Sequence, residues 1–298
     1  MNATPYLGEI LALLTAVTWA LAVILFKKSG ESVHPIGLNT FKNVLSTALL
    51  VPTGFLLGES ILREAPLSDY VLLLASGALG IGIADTLFFH SLNALGAGRS
   101  AIVDCLYSPF TIVLSILFLG ESLTLWQFAG VAMIVSAVLS AVGEKKESNG
   151  RDRKRILLGF FWGAISMACM AVGVVMVKPL LAYTPLIWAT TMRLIGGLTV
   201  LAVVLAFHPR RNTIVGSLRA AGSWVYTISG SFMGAYLSMV LWLAGMKYTQ
   251  ASTASALNQM SNIFIFVFAA WLLKEKITLI RTIAILMGVG GALLVTFG

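Results

Sequence analysis

Of 298 residues, 58% are apolar and only 11% are charged, and the mean hydropathy is +0.92. A soluble domain of this length cannot hide so much apolar surface, because its core grows more slowly than its chain, whereas lipid can solvate it. The net charge of +8 does not imply nucleic-acid binding, since the basic residues flank apolar runs and form no continuous stripe; in a membrane chain that is a topology signal.

A hydrocarbon core about 30 Å thick takes about 20 helical residues to cross. Ten segments meet that test, at roughly 7–26, 35–57, 70–92, 100–119, 125–142, 156–177, 185–207, 223–246, 251–273 and 279–297. The first carries Trp19 and has no basic region before it, so it reads as a spanning helix and not a cleaved signal peptide. The second opens at Pro35 and holds Lys42 and Asn43. The third is dense in small residues (Gly77, Ala78, Gly80, Gly82, Ala84), which suit close helix packing, and it holds Asp85 and His90. The fourth carries Asp104, Cys105, Tyr107, Ser108 and Pro109. Thr124-Leu125-Trp126-Gln127 fits a capping box at the start of the fifth. The polar stretch Gly143 to Arg155, with six Lys and Arg residues, then splits the chain into halves. The seventh segment opens at Pro185 and carries Arg193, and the eighth carries Tyr236 and Trp242. On the ninth, Ser252, Ser255, Asn258, Gln259 and Asn262 fall at helical spacing on one face. Period-2 alternation is absent, which excludes a β-barrel.

The two halves repeat. Phe118-Leu119-Gly120-Glu121-Ser122-Leu123-Thr124 aligns with Leu272-Leu273-Lys274-Glu275-Lys276-Ile277-Thr278. Carried back without a gap, that offset sets Ala97-Gly98 on Ala251-Ser252, Asp104 on Asn258, Cys105 on Gln259 and Ser108 on Asn262. Five is odd, so the second half enters the membrane in the opposite sense. The expected fold is an all-α integral membrane protein of ten transmembrane helices, arranged as two inverted five-helix repeats around a central cavity. The first repeat spans residues 1–142, a basic linker 143–155, and the second repeat 156–298.

Trp19 with Lys27, Tyr107-Ser108-Pro109, the Gly120-Glu121 and Lys274-Glu275 turns, Pro185 with Arg193, and Lys247-Tyr248-Thr249-Gln250-Ala251-Ser252 stand in an order that resembles the drug/metabolite transporter superfamily. The likeness is to its EamA-type ten-helix members and covers the whole chain. It implies alternating-access transport of metabolites in a multi-pass protein of a prokaryotic cytoplasmic membrane. Three positions depart from the family pattern: Lys274 stands where a glycine is usual, Ile263 where the first half has Pro109, and Asn43 where the second half has Arg193.

An ionisable side chain inside a spanning helix costs at least about 2.5–3.5 kcal/mol on insertion scales, so each needs a reason. Asp85 is either paired with Lys42 or engaged with substrate or protons. Lys42 and Arg193 either snorkel to a headgroup or line the cavity. Asp104, Tyr107 and Ser108 on the fourth helix, with Asn258, Gln259 and Asn262 on the ninth, form two polar walls. The alternative is plain helix–helix hydrogen bonding. Together with Trp19, Lys42, Asp85, Arg193 and Tyr236 these are the expected substrate-contacting residues. Cys105 and Cys169 read as small buried hydrophobes, and the histidines as helix-end residues without metal-ligand partners.

No phosphate-binding loop is present, so ATP does not drive the protein directly. The expected function is secondary active transport of a small polar or zwitterionic metabolite, such as an amino acid, in the export direction. Protons are the candidate coupling ion, and no cofactor and no nucleic acid is expected. Hydrophobic cations are the second substrate class. A channel or a lipid-modifying enzyme is the reading from other classes, and for the enzyme no catalytic constellation stands at a usable spacing. Most Lys and Arg lie on odd-numbered connections, while the even ones carry Arg63, Lys178 and Lys247. Charge therefore places the odd connections in the cytoplasm and the termini outside; the family resemblance implies the reverse.

Overall fold

In the computed structural model, residues 6–60, 63–119, 124–143, 150–181, 183–219, 224–248 and 257–297 are described. Helices account for nearly all of them, and no strand occurs among them. We number the helices α1 (Leu7–Ser29), α2 (Pro35–Leu56), α3 (Leu67–Leu95), α4 (Ala97–Phe118), α5 (Leu125–Gly143), α6 (Gly150–Leu181), α7 (Leu186–Phe207), α8 (Trp224–Gly245, continuing to Tyr248), α9 (Leu257–Leu272) and α10 (Leu279–Phe297). A short helix, Arg211–Leu218, joins α7 to α8.

Eight of these helices are long and apolar enough to cross a membrane, against the ten expected. The two exceptions have distinct causes. The 22-residue α2 is long enough, but Asn39, Thr40, Lys42 and Asn43 crowd polarity into its first half. For α9, the expected N-terminal part at 251–256 lies outside the described residues, which leaves Leu257–Leu272 as a shorter apolar helix.

Local chemistry sets the helix ends. His34 is extended and its side chain accepts a hydrogen bond from the Ile36 N–H, while Pro35 takes the first helical position, where its missing donor costs nothing. Thr124 and Gln127 form the expected reciprocal box: each side chain accepts from the other's backbone N–H at 3.1 Å.

Several helices are irregular inside. A π-helical turn interrupts α3 at Ala78–Ile83 and another interrupts α8 at Phe232–Leu237. These stretches coincide at the offset that carries Thr124 onto Thr278. Helix α4 breaks between Ala97–Asp104 and Tyr107–Leu119. Pro109 explains the break, because its ring denies a helical hydrogen bond to the Cys105 carbonyl. Helix α9 turns at Met260, before Ser261–Leu272, at the matching register but without a proline. The helix contacts follow the same exchange of halves. Helix α1 packs on α8 as α6 packs on α3, and α1 on α9 as α6 on α4; α2–α7, α4–α9 and α5–α10 pair with each other.

Close approaches need glycine at specific places. A Cβ on Gly77 would lie 1.8 Å from the Arg193 carbonyl oxygen, and one on Gly196 would lie 2.1 Å from that of Leu74. Helices α3 and α7 therefore touch backbone to backbone beside Arg193. The main core lies where α1, α3–α6, α9 and α10 converge, with Phe26, Phe89, Leu92, Ile102, Ile134 and Ile265 fully enclosed. Apolar residues such as Leu117, Phe118, Trp126 and Trp271 remain exposed on the outside, which suits a lipid-facing surface.

Hydrogen bonds gather the connections at two ends. Lys27 Nζ and Arg155 Nη2 both donate to the Asn93 carbonyl, at 3.2 and 3.1 Å, and the Glu275 carboxylate accepts from the Ala97 and Gly98 N–H groups at 2.8 and 3.1 Å. The first, third, fifth and ninth connections thus share one end. At the other, Glu59 accepts from the Trp188 N–H at 2.9 Å and Asp69 from the Tyr183 hydroxyl at 3.4 Å, bringing the second and sixth together.

Candidate functional site

The buried charges fall into two groups. In the first, Lys42 donates to Asp85 in an ion pair between α2 and α3, with both residues buried. Asn39 supports it, donating to the Ile81 and Gly82 carbonyls at 2.9 and 3.1 Å and to Thr86 Oγ1 at 3.0 Å, and accepting from Asn43 at 2.9 Å. The Gly82 carbonyl is accessible because the π turn loosens the α3 ladder there. Of the two sequence readings of Asp85, the pair with Lys42 is the one present. The Lys42 ammonium is held inside the bundle by this pair.

The second group is open. Arg193, two turns into α7 and with its own carbonyl at the close contact with Gly77, makes no hydrogen bond or ion pair among the described residues, and its Nε is enclosed without a partner. One end of its guanidinium lies against Gly80, where an added Cβ would sit 3.4 Å from Nη2. Tyr107 and Asp85 are its electrostatic neighbours. Asp104 stands at the end of the first piece of α4, is half-buried, and likewise has no hydrogen-bond partner among the described residues. Burying a charge is costly unless a partner or ligand compensates, which sets Arg193 and Asp104 apart from the paired Lys42 and Asp85.

The polar faces of α4 and α9 meet directly. Gln259 Nε2 donates to Ser108 Oγ at 3.3 Å, Asn262 Nδ2 to Gln259 Oε1 at 3.3 Å and to Cys105 Sγ at 3.6 Å. The stripe on α9 thus turns toward α4 and not toward α10. Asn258 is half-buried beside it, while Ser252 and Ser255 lie outside the described residues. Two expected contacts fall elsewhere. The Tyr236 hydroxyl bonds Thr53 Oγ1 at 3.0 Å, between α8 and α2, and Trp19 packs on the edge of the main core.

Some features were not anticipated. Glu275, read as a turn marker, sits with both oxygens on the backbone N–H groups that open α4. Lys274 adopts a left-handed conformation (φ 54°) to aim it, and Gly96 (φ 85°) leaves room, since a Cβ there would lie 2.7 Å from Oε1. The aligned glycine at position 120 was the available signal. The histidines also come together: the His34 ring lies 5.8 Å from that of His90 and 6.4 Å from that of His208. No group of His, Cys, Asp and Glu among the described residues is arranged to hold a metal ion.

Comparison with known proteins places this geometry. The EamA-like transporter family matches twice, over residues 6–143 and 157–297. An uncharacterized transporter of Archaeoglobus fulgidus is 22% identical over 91% of this chain and 91% of its own length. A WAT1-related chloroplast protein of Arabidopsis thaliana is 24% identical over 94% of this chain and 67% of its own length. The uncharacterized transporter YvbV of Bacillus subtilis is 30% identical over 44% of this chain, a stretch that spans 43% of that protein. A solved crystal structure covers 96% of this chain with a TM-score of 0.65 at 17% identity, which shows a shared fold. With both halves of the chain matched, this protein belongs to the EamA-like transporter family and is a multi-pass integral membrane transporter.

Proposed function

We propose that the chain crosses the membrane ten times as two inverted five-helix repeats and exports a small zwitterionic metabolite by alternating access. The observation that carries this reading is that two charges within the spans are left without partners among the described residues, Arg193 beside the π turn of α3 and Asp104 at the break in α4. A carboxylate suits the unpartnered guanidinium, which offers planar paired donors. An ammonium suits Asp104. Ser108, Gln259 and Asn262 supply neutral polar contacts next to them, and Asn258 and Tyr107 extend the same wall. Lys42 and Asp85 hold α2 against α3 and set the electrostatic surroundings of Arg193. The matching π turns, matching helix breaks and exchanged contact pattern support two-fold repetition, the architecture that places a site between halves.

Asp104 is the proton-coupling candidate on this reading, since Asp85 is engaged by Lys42. A hydrophobic cation is the second substrate class; it needs Asp104 but not Arg193, which separates the two. In proteoliposomes, counterflow of a neutral α-amino acid is the test, with the corresponding amino-acid amide as comparison. Wild type is expected to exchange the amino acid and to discriminate against the amide. Arg193→Gln is expected to lose that discrimination, and Asp104→Asn to lose gradient-driven accumulation while retaining exchange. Equal flux of acid and amide through wild type overturns the zwitterion reading and favours the cation.

A further inference from the structure

At the end shared by the odd-numbered connections, α3 and α6 leave an open groove of about 370 Å³. His90 and Ala94 line it from α3, and Lys154, Arg155, Leu158 and Trp162 from α6. The helices are pressed together at its base: a Cβ on Gly159 would lie 2.7 Å from Leu95 Cγ and 3.0 Å from Ala94 Cβ. Arg155, Leu158 and Trp162 recur at helical spacing, so they form one stripe running away from the helix end. Over that stripe, about 10 Å at 1.5 Å per residue, the lining changes from cations to an aliphatic and then an aromatic side chain. No carboxylate lines the groove among the described residues.

The cations are available. Arg155 spends one N–H on the Asn93 carbonyl, which holds the guanidinium at the mouth and leaves its other donors. Lys154 is exposed and makes no hydrogen bond or ion pair among the described residues. Leu158 and Trp162 are 43% and 37% exposed, so the protein leaves their apolar surface to whatever surrounds it. Positive charge at the helix end with apolar surface beneath is the order of an anionic phospholipid, phosphate above acyl chain. A soluble phosphate compound has no use for the lower half.

We propose that this groove binds one anionic phospholipid. Its phosphate sits at Lys154 and Arg155, and an acyl chain lies along Leu158 and Trp162. The groove shares no residue with the proposed transport site, so it stands or falls independently of the substrate.

The test is thermal melting of the full-length protein in detergent with added dioleoylphosphatidylglycerol, dioleoylphosphatidylcholine or glycerol 3-phosphate. Phosphatidylglycerol alone is expected to raise the midpoint. Lys154→Gln/Arg155→Gln is expected to need roughly thirtyfold more of it for the same rise, and Trp162→Ala, with every charge intact, to weaken the response as well. Arg211→Gln/Arg219→Gln, which removes two cations from the groove beside the Arg211–Leu218 helix, is expected to respond like wild type. Equal stabilisation by phosphatidylcholine overturns the proposal, as does an equal response to glycerol 3-phosphate. An unchanged response of Lys154→Gln/Arg155→Gln overturns it, and so does an equal loss in the Arg211/Arg219 control, which marks diffuse surface charge. Should Lys154→Gln/Arg155→Gln not fold, wild type is crosslinked with a headgroup-photoactivatable phosphatidylglycerol. Adducts within 154–162 support the site, and adducts only elsewhere overturn it.

Discussion

Lys42–Asp85 and Arg193–Asp104 are the same kinds of charge within helical spans of the same bundle, yet one set is closed and the other open. Lys42 and Asp85 satisfy each other, with the Asn39 network holding the helices around them. Arg193 has its Nε enclosed without a partner, and Asp104, half-buried, makes no hydrogen bond among the described residues. A closed pair makes the bundle depend on both members, because removing one strands the other. An open pair leaves two costly groups unsatisfied, a condition a ligand can relieve.

The largest expected effect follows from the closed pair. Lys42→Met strands the Asp85 carboxylate and should lower stability by about 3–5 kcal/mol, read as chemical denaturation in detergent. Lys42→Met/Asp85→Leu should recover most of that loss. If both variants are equally unstable, the pair is not what holds α2 to α3. Next comes the open pair. Arg193→Gln should cut amino-acid exchange at least about tenfold, the worth of a hydrogen bond to a charged group, with stability unchanged or raised. If it instead destabilises the protein as Lys42→Met does, the contrast between the two sets collapses.

Glu275 sharpens the contrast as a third case, a carboxylate whose two oxygens accept from backbone N–H groups, with Lys27 as an electrostatic neighbour. Glu275→Gln weakens the helix-start interaction and should cost about 1 kcal/mol. Lys274→Gly relieves the left-handed backbone and should gain up to about 1 kcal/mol, both measured in the same unfolding assay. The smallest effect belongs to His34, outside the spanning helices, where burial and then the neighbouring His208 hold the imidazole below its ordinary value of 6.5. A histidine with a lowered folded value contributes stability that is complete above 6.5 and is lost as the pH falls below it. The melting midpoint should therefore drop modestly between pH 7.5 and 5.5. His34→Asn keeps a capping side chain and should flatten that drop.

Much of this was legible in the chain itself. Apolar runs of spanning length, the capping box at Thr124, the offset between halves and the polar stripe on α9 are all consequences of residue order, because helical periodicity and transfer cost act locally. The stripe on α9 found its partners Cys105 and Ser108 where the repeat offset had paired the helices. Other features had weak local signals. Pro109 marks the break in α4, but the matching turn in α9 has Ile263 in place of proline, so only packing accounts for it. The π turns lie in glycine-containing stretches of α3 and α8 indistinguishable in sequence from ordinary small-residue contacts.

The sequence by itself determined that this chain belongs in a bilayer, that it is built from two similar halves, and which charged residues must be accounted for. Which of those charges are neutralised and which are left open was decided only by the tertiary structure. Pairing depends on distances between helices far apart in the chain, and a side chain's cost depends on what those helices bring to it. Asp85 lies across from Lys42, Tyr236 meets Thr53, and Arg193 is held by backbone contact at Gly77 with no ion pair among the described residues. No local pattern encodes those separations, because they arise from how whole helices pack.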